Sequence, residues 1–145
     1  MPENFDPQTI WMVAILLVVF MATRYVIPRL VAGVPFMDPQ TIQQRQAAGE
    51  EVVIVDVRTH GEFTGSLGHV PGAVNVPLNE LADRLAAGAS GMDGLKDLPV
   101  FVICKTANRS PSAARLLKKR GFTNVMVVKG GMSAWKRAGL PIERA

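Results

Sequence analysis

The single cysteine of this 145-residue chain, Cys104, is followed closely by two basic residues, Lys105 and Arg109. A cysteine reacts as its thiolate, and nearby positive charge favours the thiolate over the thiol. Residues 100–103, directly before the cysteine, are apolar and mostly β-branched, which is typical of an interior parallel strand. Many free cysteines are simply buried, but these neighbours indicate a reactive thiol.

A helix is predicted after the loop that contains the cysteine. Ser110 is a favourable N-cap, Pro111 suits the first helical position, and residues 112–120 continue the helix as far as Gly121. Cys104 would then lie at the carboxyl end of a strand and face a helix N-terminus. Ligands of open α/β sheets bind at that edge, where backbone N–H groups and the helix dipole favour an anion.

Composition limits the other chemistries open to the chain. One cysteine allows no disulfide within the chain and supplies no second thiol to resolve a modified Cys104. Whatever Cys104 acquires must therefore pass to another molecule. With only His60 and His69 beside one cysteine, a Cys/His zinc site cannot be assembled, and we predict no metal and no cofactor.

The segment 105–137 contains nine basic residues and no acidic one. Such a field would draw small anions toward the loop. A solvated helix face is an alternative for Lys118, Lys119 and Arg120, which lie near a predicted helix end. Contact of the basic residues with anionic lipid is a further alternative. Nucleic acid is not predicted as a partner, because the charges are not regularly interleaved with aromatic residues.

Residues 9–27 predict a transmembrane helix. Positions 10–22 are uncharged and apolar, and a 19-residue helix is about 28 Å long, close to the thickness of a bilayer core. Trp11 and Tyr25 lie near its opposite ends, where interfacial aromatic residues are common, and Arg24 can reach the interface. A cleaved signal peptide, a buried core helix and an interfacial helix are the alternatives, and each fits the residue pattern less well.

The basic residues predict how the chain is oriented. Arg24 and Arg29 follow the apolar segment and no basic residue precedes it. The positive-inside rule then places the short segment 1–8 outside and the C-terminal domain in the cytoplasm, a reducing compartment that suits a thiol. A linker over residues 28–35 begins and ends with proline, and the soluble domain covers residues 36–145.

Strands and helices alternate along the soluble domain. Helices are predicted at 39–48, 78–87 and 132–138 besides the one after Cys104, and residues 90–98 are predicted to be a loop. Strands are predicted at 52–57, 73–76, 100–103 and 125–128. This alternation indicates a parallel sheet covered by helices on both faces.

Four motifs in register resemble those of the rhodanese family over residues 36–142. In chain order they are VIVDVR at 53–58 with the EF pair at 62–63, GHVPGAVNVP at 68–77, CKTANRS at 104–110, and the GG pair at 130–131 with Trp135 and the GLP of 139–141. The resemblance implies a three-layer α/β domain with a central, mainly parallel sheet of about five strands and helices on both faces. Here one transmembrane helix would precede that domain.

Sulfurtransferase chemistry is implied by the same resemblance. Cys104 would attack the outer sulfur of a small anionic donor such as thiosulfate, become a persulfide, and pass the sulfur to a thiol, a protein or a cyanide-like acceptor. A soft thiolate suits sulfane sulfur, and the cycle is covalent catalysis of the ping-pong type. The substrate-binding residues implied are those of the loop: Lys105, Thr106, Ala107, Asn108, Arg109 and Ser110.

The loop residues would divide this work. Lys105 is expected at the pocket mouth, where it would bind the negative charge of a donor. Arg109 either clamps the anion or ties the loop to the domain, with Asp56 as its expected partner. Ser110 is expected to cap the helix first and to contact a persulfide second, and Arg58 to support the site in an ion pair. Thr106, Ala107 and Asn108 would contribute mainly backbone N–H groups, and Glu62, His69 and Trp135 are expected to be structural.

Two other functions compete with sulfur transfer. Related phosphatases and arsenate reductases carry C-x5-R loops, whereas Cys104 and Arg109 form the shorter C-x4-R, which suits one bound sulfur atom. A non-catalytic module that binds a protein would not need to keep the cysteine.

The family often has glycine at position 107, and an alanine there costs on the order of 1 kcal/mol if φ is positive.

Overall fold

The computed structural model describes residues 6–27, 33–86 and 91–144, and the chain divides into two compact units between Val31 and Ala32. The first unit contains helix α1, Pro7–Met21, which continues in π-helical geometry over Ala22–Val26. Asp6 caps α1 by accepting a hydrogen bond from the backbone N–H of Gln8 at 3.3 Å.

No side chain of the helix in the first unit is buried. By length and composition the stretch Pro7–Val26 could cross a membrane, and a signal sequence would pass the same test. The helix begins two residues before the predicted span of 9–27, because Asp6 and Pro7 form a helix start that the apolar pattern does not reveal. Residues 1–5 of the predicted N-terminal segment and 28–32 of the predicted linker lie outside the described residues.

A five-stranded sheet forms the centre of the second unit. All of its strands are parallel, in the order β1-β5-β4-β2-β3. The strands are β1 Phe36–Met37, β2 Val53–Asp56, β3 Val74–Asn75, β4 Val100–Ile103 and β5 Val125–Val128. The parallel α/β prediction is therefore confirmed. Strand β1 was not predicted, because two residues are too few to show a periodic pattern.

Helices connect these strands. They are α2 Pro39–Ala47, α3 His60–Phe63, α4 Leu78–Ala86, α5 Ser110–Lys119 and α6 Gly131–Arg137, with a 3₁₀ turn at Asp93–Leu95. The short helix α3 and the 3₁₀ turn were not predicted, and the predicted end of α4 at residue 87 lies outside the described residues.

The predicted N-cap of α5 was wrong. Arg109 occupies the N-cap position with nearly helical angles (φ −89°, ψ −33°), and no side chain caps the helix there. Ser110 is the first helical residue, so its hydroxyl is directed elsewhere.

The core occupies both faces of the sheet, because successive side chains of a strand point to opposite sides. Alternate residues Val100, Val102 and Cys104 pack with Leu81 of α4 and Leu117 of α5. The residues between them, Phe101 and Ile103, pack on the other face with Ile42 of α2 and Trp135 of α6. Both clusters lie within residues 33–144, so the second unit has the three layers expected and carries its own core.

A crevice is expected at the carboxyl edge of the two central strands. From β2 the chain continues to β3 on one side, whereas from β4 it continues to β5 on the other. Ligands of open α/β sheets bind where the strand order reverses in this way. Asp56 ends β2 and Cys104 directly follows β4, so the predicted site residues lie at this reversal.

The first turn of α6 is packed tightly against the start of the cysteine loop. The backbone N–H groups of Met132 and Ser133 donate to the carbonyl oxygens of Cys104 (2.8 Å) and Lys105 (3.0 Å). Gly131 has a φ of +60°, and a Cβ there would lie 2.6 Å from the carbonyl of Lys105 and closer still to that of Cys104. Only glycine allows this approach of two backbone segments.

We expect Gly131→Ala to destabilise the domain by about 3 kcal/mol or more, because steric overlap adds to the strain of a positive φ. Gly139→Ala is the matched control: φ is +69° there, but no atom lies within 4 Å of an added Cβ. It should cost about 1 kcal/mol. Urea denaturation of residues 33–145, monitored by the fluorescence of Trp135, measures the loss of unfolding free energy in both variants. Equal losses would contradict the close contact at Gly131.

Candidate active site

Cys104 lies at the carboxyl end of the central strand β4 and is 1% exposed. Its Sγ is 3.4 Å from the hydroxyl oxygen of Ser110, which is fully buried at the start of α5. The Ser110 hydroxyl therefore faces the thiol instead of capping the helix. A hydroxyl in this place can donate to a thiolate or to an anion formed on the sulfur.

The loop backbone presents a run of unused hydrogen-bond donors. Among the hydrogen bonds of the described residues, none is donated by a backbone N–H of residues 105–110. A run of backbone N–H groups without a protein acceptor at a helix N-terminus suits an anion. The donors begin directly after the thiol and end at the first residue of α5.

Ala107 lies in the middle of this loop with a φ of +65°. In the parts of the chain that the structure describes, it is the only residue other than glycine with a positive φ. An alanine in this conformation costs on the order of 1 kcal/mol. Its methyl group is partly buried against the core on the α4–α5 face, and burial of a methyl-sized group returns a similar free energy.

Arg109 closes the loop with a two-pronged ion pair to Glu62. Its Nη1 and Nη2 atoms each donate to one Glu62 carboxylate oxygen at 2.8 Å, and both side chains are 34% exposed. The predicted partner of Arg109, Asp56, was wrong. Asp56 is instead occupied by Arg58, whose guanidinium contacts both of its oxygens.

Glu62 is held in place by a capping box at the start of α3. The Thr59 N–H donates to Glu62 Oε2 at 3.0 Å, and the Glu62 N–H donates to Thr59 Oγ1 at 3.2 Å. Hydrogen bonds from Arg109 lower the pKa of Glu62 from 4.5 to about 2, against the opposing effect of burial. The same bonds raise the pKa of Arg109 above its ordinary value. The T-x-x-E spacing of a capping box was visible in the sequence, but its ion pair with the loop was not.

The Asp56–Arg58 pair is buried below this contact. Arg58 Nη2 lies 2.7 Å from Asp56 Oδ2 and also donates to the Gly68 carbonyl at 2.8 Å. Its Nη1 donates to the Glu62 carbonyl at 3.2 Å. Arg58 therefore ties the end of β2 to α3 and to the turn beyond it.

The remaining loop side chains point toward solvent. Lys105, Thr106 and Asn108 are exposed, and Asn108 Nδ2 donates to Thr106 Oγ1 at 3.1 Å. Lys105 lines a cleft of about 450 Å³. The other lining residues are Arg58, Thr59, Gly61, Glu62, Gly65, Ser66 and Leu67.

His69, which follows the lining residue Leu67 by two positions, has its ring engaged elsewhere. Its Nδ1 is 2.9 Å from the Phe63 carbonyl oxygen, and its ring stacks on that of Phe63 with centroids 3.7 Å apart. Within residues 6–27, 33–86 and 91–144, no three His, Cys, Asp or Glu side chains gather in a way that could hold a metal ion.

The comparisons with known proteins agree on one family. The sequence pattern of the rhodanese-like domain matches residues 38–138. A sulfurtransferase of Allochromatium vinosum is 33% identical over 106 residues, which cover 73% of this chain and 92% of that protein. An HTH-type transcriptional regulator of Mycobacterium tuberculosis is 39% identical over 100 residues, which cover 69% of this chain but 41% of that protein.

A solved structure shares the fold. The thiosulfate sulfurtransferase of Pseudomonas aeruginosa superposes with a TM-score of 0.67 at 26% identity, over 81% of this chain and 22% of that one. The strand order and the position of the cysteine loop, where the strand order reverses, agree with the family that the sequence matches indicate. The chain belongs to the rhodanese-like family.

Proposed function

We propose that this chain is a sulfurtransferase that carries sulfane sulfur on Cys104. The observation that carries the proposal is the combination of a thiol, the Ser110 hydroxyl 3.4 Å away and the six unengaged N–H groups of residues 105–110. A neutral buried cysteine has no need for such a set of donors, whereas a sulfur anion does. Sulfurtransferases among the relatives support sulfur transfer in general.

The proposed cycle has two displacement steps. The Cys104 thiolate attacks the outer sulfur of a donor such as thiosulfate, one sulfur–sulfur bond forms, and another breaks. Sulfite leaves with the electron pair of the broken bond, and Cys104 carries the anionic persulfide. An acceptor thiolate then attacks the outer persulfide sulfur and leaves Cys104 as the thiolate again. Neither step needs a general base when the attacking thiol is already ionised.

The two cations of the loop have different proposed roles. Arg109 is engaged by Glu62 through both prongs, so we assign it to fixing the loop. No acidic side chain of the described residues lies within ion-pair distance of Lys105, which directly follows Cys104 in the chain and lines the cleft. Lys105 is therefore the residue proposed to attract the negative charge of the donor. The outer persulfide sulfur would be held by the loop N–H groups and Ser110.

Loop size supports sulfur transfer over phosphate hydrolysis. Four residues separate Cys104 from Arg109, and α5 begins at the next residue. The thiol is almost completely enclosed, so it accommodates a single terminal atom better than a tetrahedral oxyanion. Because Arg109 is paired with Glu62, it is also not placed as the bidentate phosphate ligand that a phosphatase requires.

The proposed location is a membrane. We assign α1 to a single-pass anchor with the domain on the cytoplasmic side, on the basis of its length, its composition and the basic residue Arg24. With one cysteine in the chain, the acceptor must be another molecule. A thiol-containing small molecule or protein in the same reducing compartment fits this requirement.

Sulfur loading of Cys104 is the direct test of the function. Thiosulfate should add the mass of one sulfur atom to residues 33–145, and cyanide should remove it, because a persulfide gives its outer sulfur to a nucleophile. The Cys104→Ser variant should gain nothing. Intact-mass spectrometry measures all three states.

The loading experiment also separates the alternatives. A mass gain from a low-molecular-weight persulfide but not from thiosulfate would keep sulfur transfer and replace the donor. No gain from either donor would contradict the function, and cleavage of an aryl phosphate that depends on Cys104 would support a phosphatase instead.

We expect Lys105→Gln to raise the KM for thiosulfate about threefold to tenfold with little change in kcat, because a single exposed charge contributes to donor attraction more than to bond cleavage. The effect should shrink as salt is added. Lys136→Gln removes an exposed charge from α6 and serves as the control. Steady-state kinetics checks both, and equal effects of the two substitutions would contradict the role of Lys105.

Glu62→Gln should destabilise the domain by about 1 kcal/mol at pH 7, a value reduced for solvent screening because both partners are a third exposed. The pKa of Glu62 is lowered on folding, so its contribution is present above about pH 4.5 and is lost as the pH falls toward 2. The difference between wild type and variant should therefore shrink on acidification. Urea denaturation at pH 6 and pH 3 measures it, with Glu80→Gln, from an exposed pair with Arg84, as the control. A difference that stays constant with pH would refute the ion-pair contribution.

A further inference from the structure

The end of α5 carries a group of cations that the proposed chemistry does not use. Arg115, Lys118, Lys119 and Arg120, which we term the basic surface, belong to α5 and to the residue directly after it. Lys118, Lys119 and Arg120 are exposed, and Arg115 is partly buried. The chain from 105 to 137 contributes no acidic residue that could balance them.

Few partners neutralise these charges within the domain. Considering the described residues only, no carboxylate forms an ion pair with Arg115, Lys119 or Arg120, and the Nε of Arg115 has no hydrogen-bond partner. Cations in the last turn of a helix complement its dipole, but one or two cations would be enough for that interaction. The nearby Lys96, whose side chain lies next to Gly121, is by contrast paired with Asp93 at 2.7 Å.

The basic surface adjoins the point at which the chain enters the domain. Lys118 Nζ donates to the carbonyl oxygen of Gly33 at 2.8 Å. Residues 27–32 alone connect Gly33 to the end of the apolar segment at Val26. A fully extended chain of six residues reaches about 20 Å, so the tether is short.

We propose that the basic surface binds anionic lipid headgroups of the membrane in which α1 is anchored. The argument is charge complementarity together with tether length: unpaired cations lie beside the attachment point, and the cytoplasmic leaflet is negatively charged. In residues 33–86 and 91–144, Val74 is the only large hydrophobic side chain that is exposed. No exposed aromatic ring of that part of the chain is therefore present to stack on bases, and lipid is favoured over single-stranded nucleic acid.

Lipid binding would define which side of the domain faces the bilayer. The basic surface is built on the C-terminal end of α5, whereas Cys104 and Ser110 lie at the N-terminal end of that helix. A helix of ten residues is about 15 Å long. Docking through the basic surface would therefore hold the domain near the membrane without covering the thiol.

The test uses residues 33–145, which contain both core clusters and correspond to a relative of which the match covers 92%. At low ionic strength, the co-sedimentation of this fragment with phosphatidylcholine vesicles is compared with its co-sedimentation with vesicles that also contain phosphatidylglycerol. We expect at least tenfold stronger partitioning onto the anionic vesicles, and its loss in high salt. Because α1 is absent, the outcome does not depend on whether that helix crosses a membrane.

Matched charge variants decide whether the basic surface or the net charge of the domain is responsible for partitioning onto anionic vesicles. The triple variant Lys118→Gln, Lys119→Gln, Arg120→Gln should lose at least tenfold in partitioning. The control variant, Lys129→Gln, Lys136→Gln, Arg137→Gln, removes the same charge from around α6 and should lose less than threefold. Sulfur loading of Cys104 should persist in both variants.

Three results would overturn the proposal. Equal losses in the two triple variants would show attraction by net charge without a defined surface. Equal partitioning onto neutral and anionic vesicles would show that the headgroup charge does not drive binding. Displacement of the domain from anionic vesicles by a low concentration of single-stranded RNA would assign the basic surface to nucleic acid.

Discussion

The ion pair between Arg109 and Glu62 is the contact on which the geometry of the site depends. It joins the last residue of the cysteine loop to helix α3, and Glu62 is itself fixed by the capping box with Thr59. Arg58 connects that helix to the end of β2. The loop is consequently attached to the neighbouring strand through a continuous set of charged hydrogen bonds, which are stronger than neutral ones.

The start of the loop is fixed by different means. There the carbonyl groups of Cys104 and Lys105 accept hydrogen bonds from the first turn of α6, and Gly131 permits the close approach. One end of the loop is thus held by an ion pair and the other by backbone hydrogen bonds. The backbone N–H groups between the two ends are therefore not needed to hold the loop in place. That separation leaves them available to a ligand.

Much of the domain could be predicted because its determinants are local. The apolar runs gave four of the five strands, and the position of Cys104 after β4 followed from parallel-sheet topology. Three cases show where such local signals fail. Strand β1 is defined by its pairing with β5, not by its own two residues. The partner of Arg109 lies 47 residues away, and with Asp56 and Glu62 both near the loop, only three-dimensional packing decides between them. Ser110 was wrongly predicted to cap α5, because its hydroxyl faces the Cys104 thiol, as the second part of its predicted role requires.

Ala107 has a consequence for how the loop responds to its ligands. A glycine at a positive φ can move between mirror-related backbone conformations at little cost, whereas an alanine with a half-buried methyl group has far fewer alternatives. The loop around Cys104 is therefore preorganised, and in the proposed cycle it would reorganise little between the thiolate and the persulfide. In that cycle a donor and an acceptor would meet the same rigid loop, so the shape and charge of its rim would have to distinguish between them.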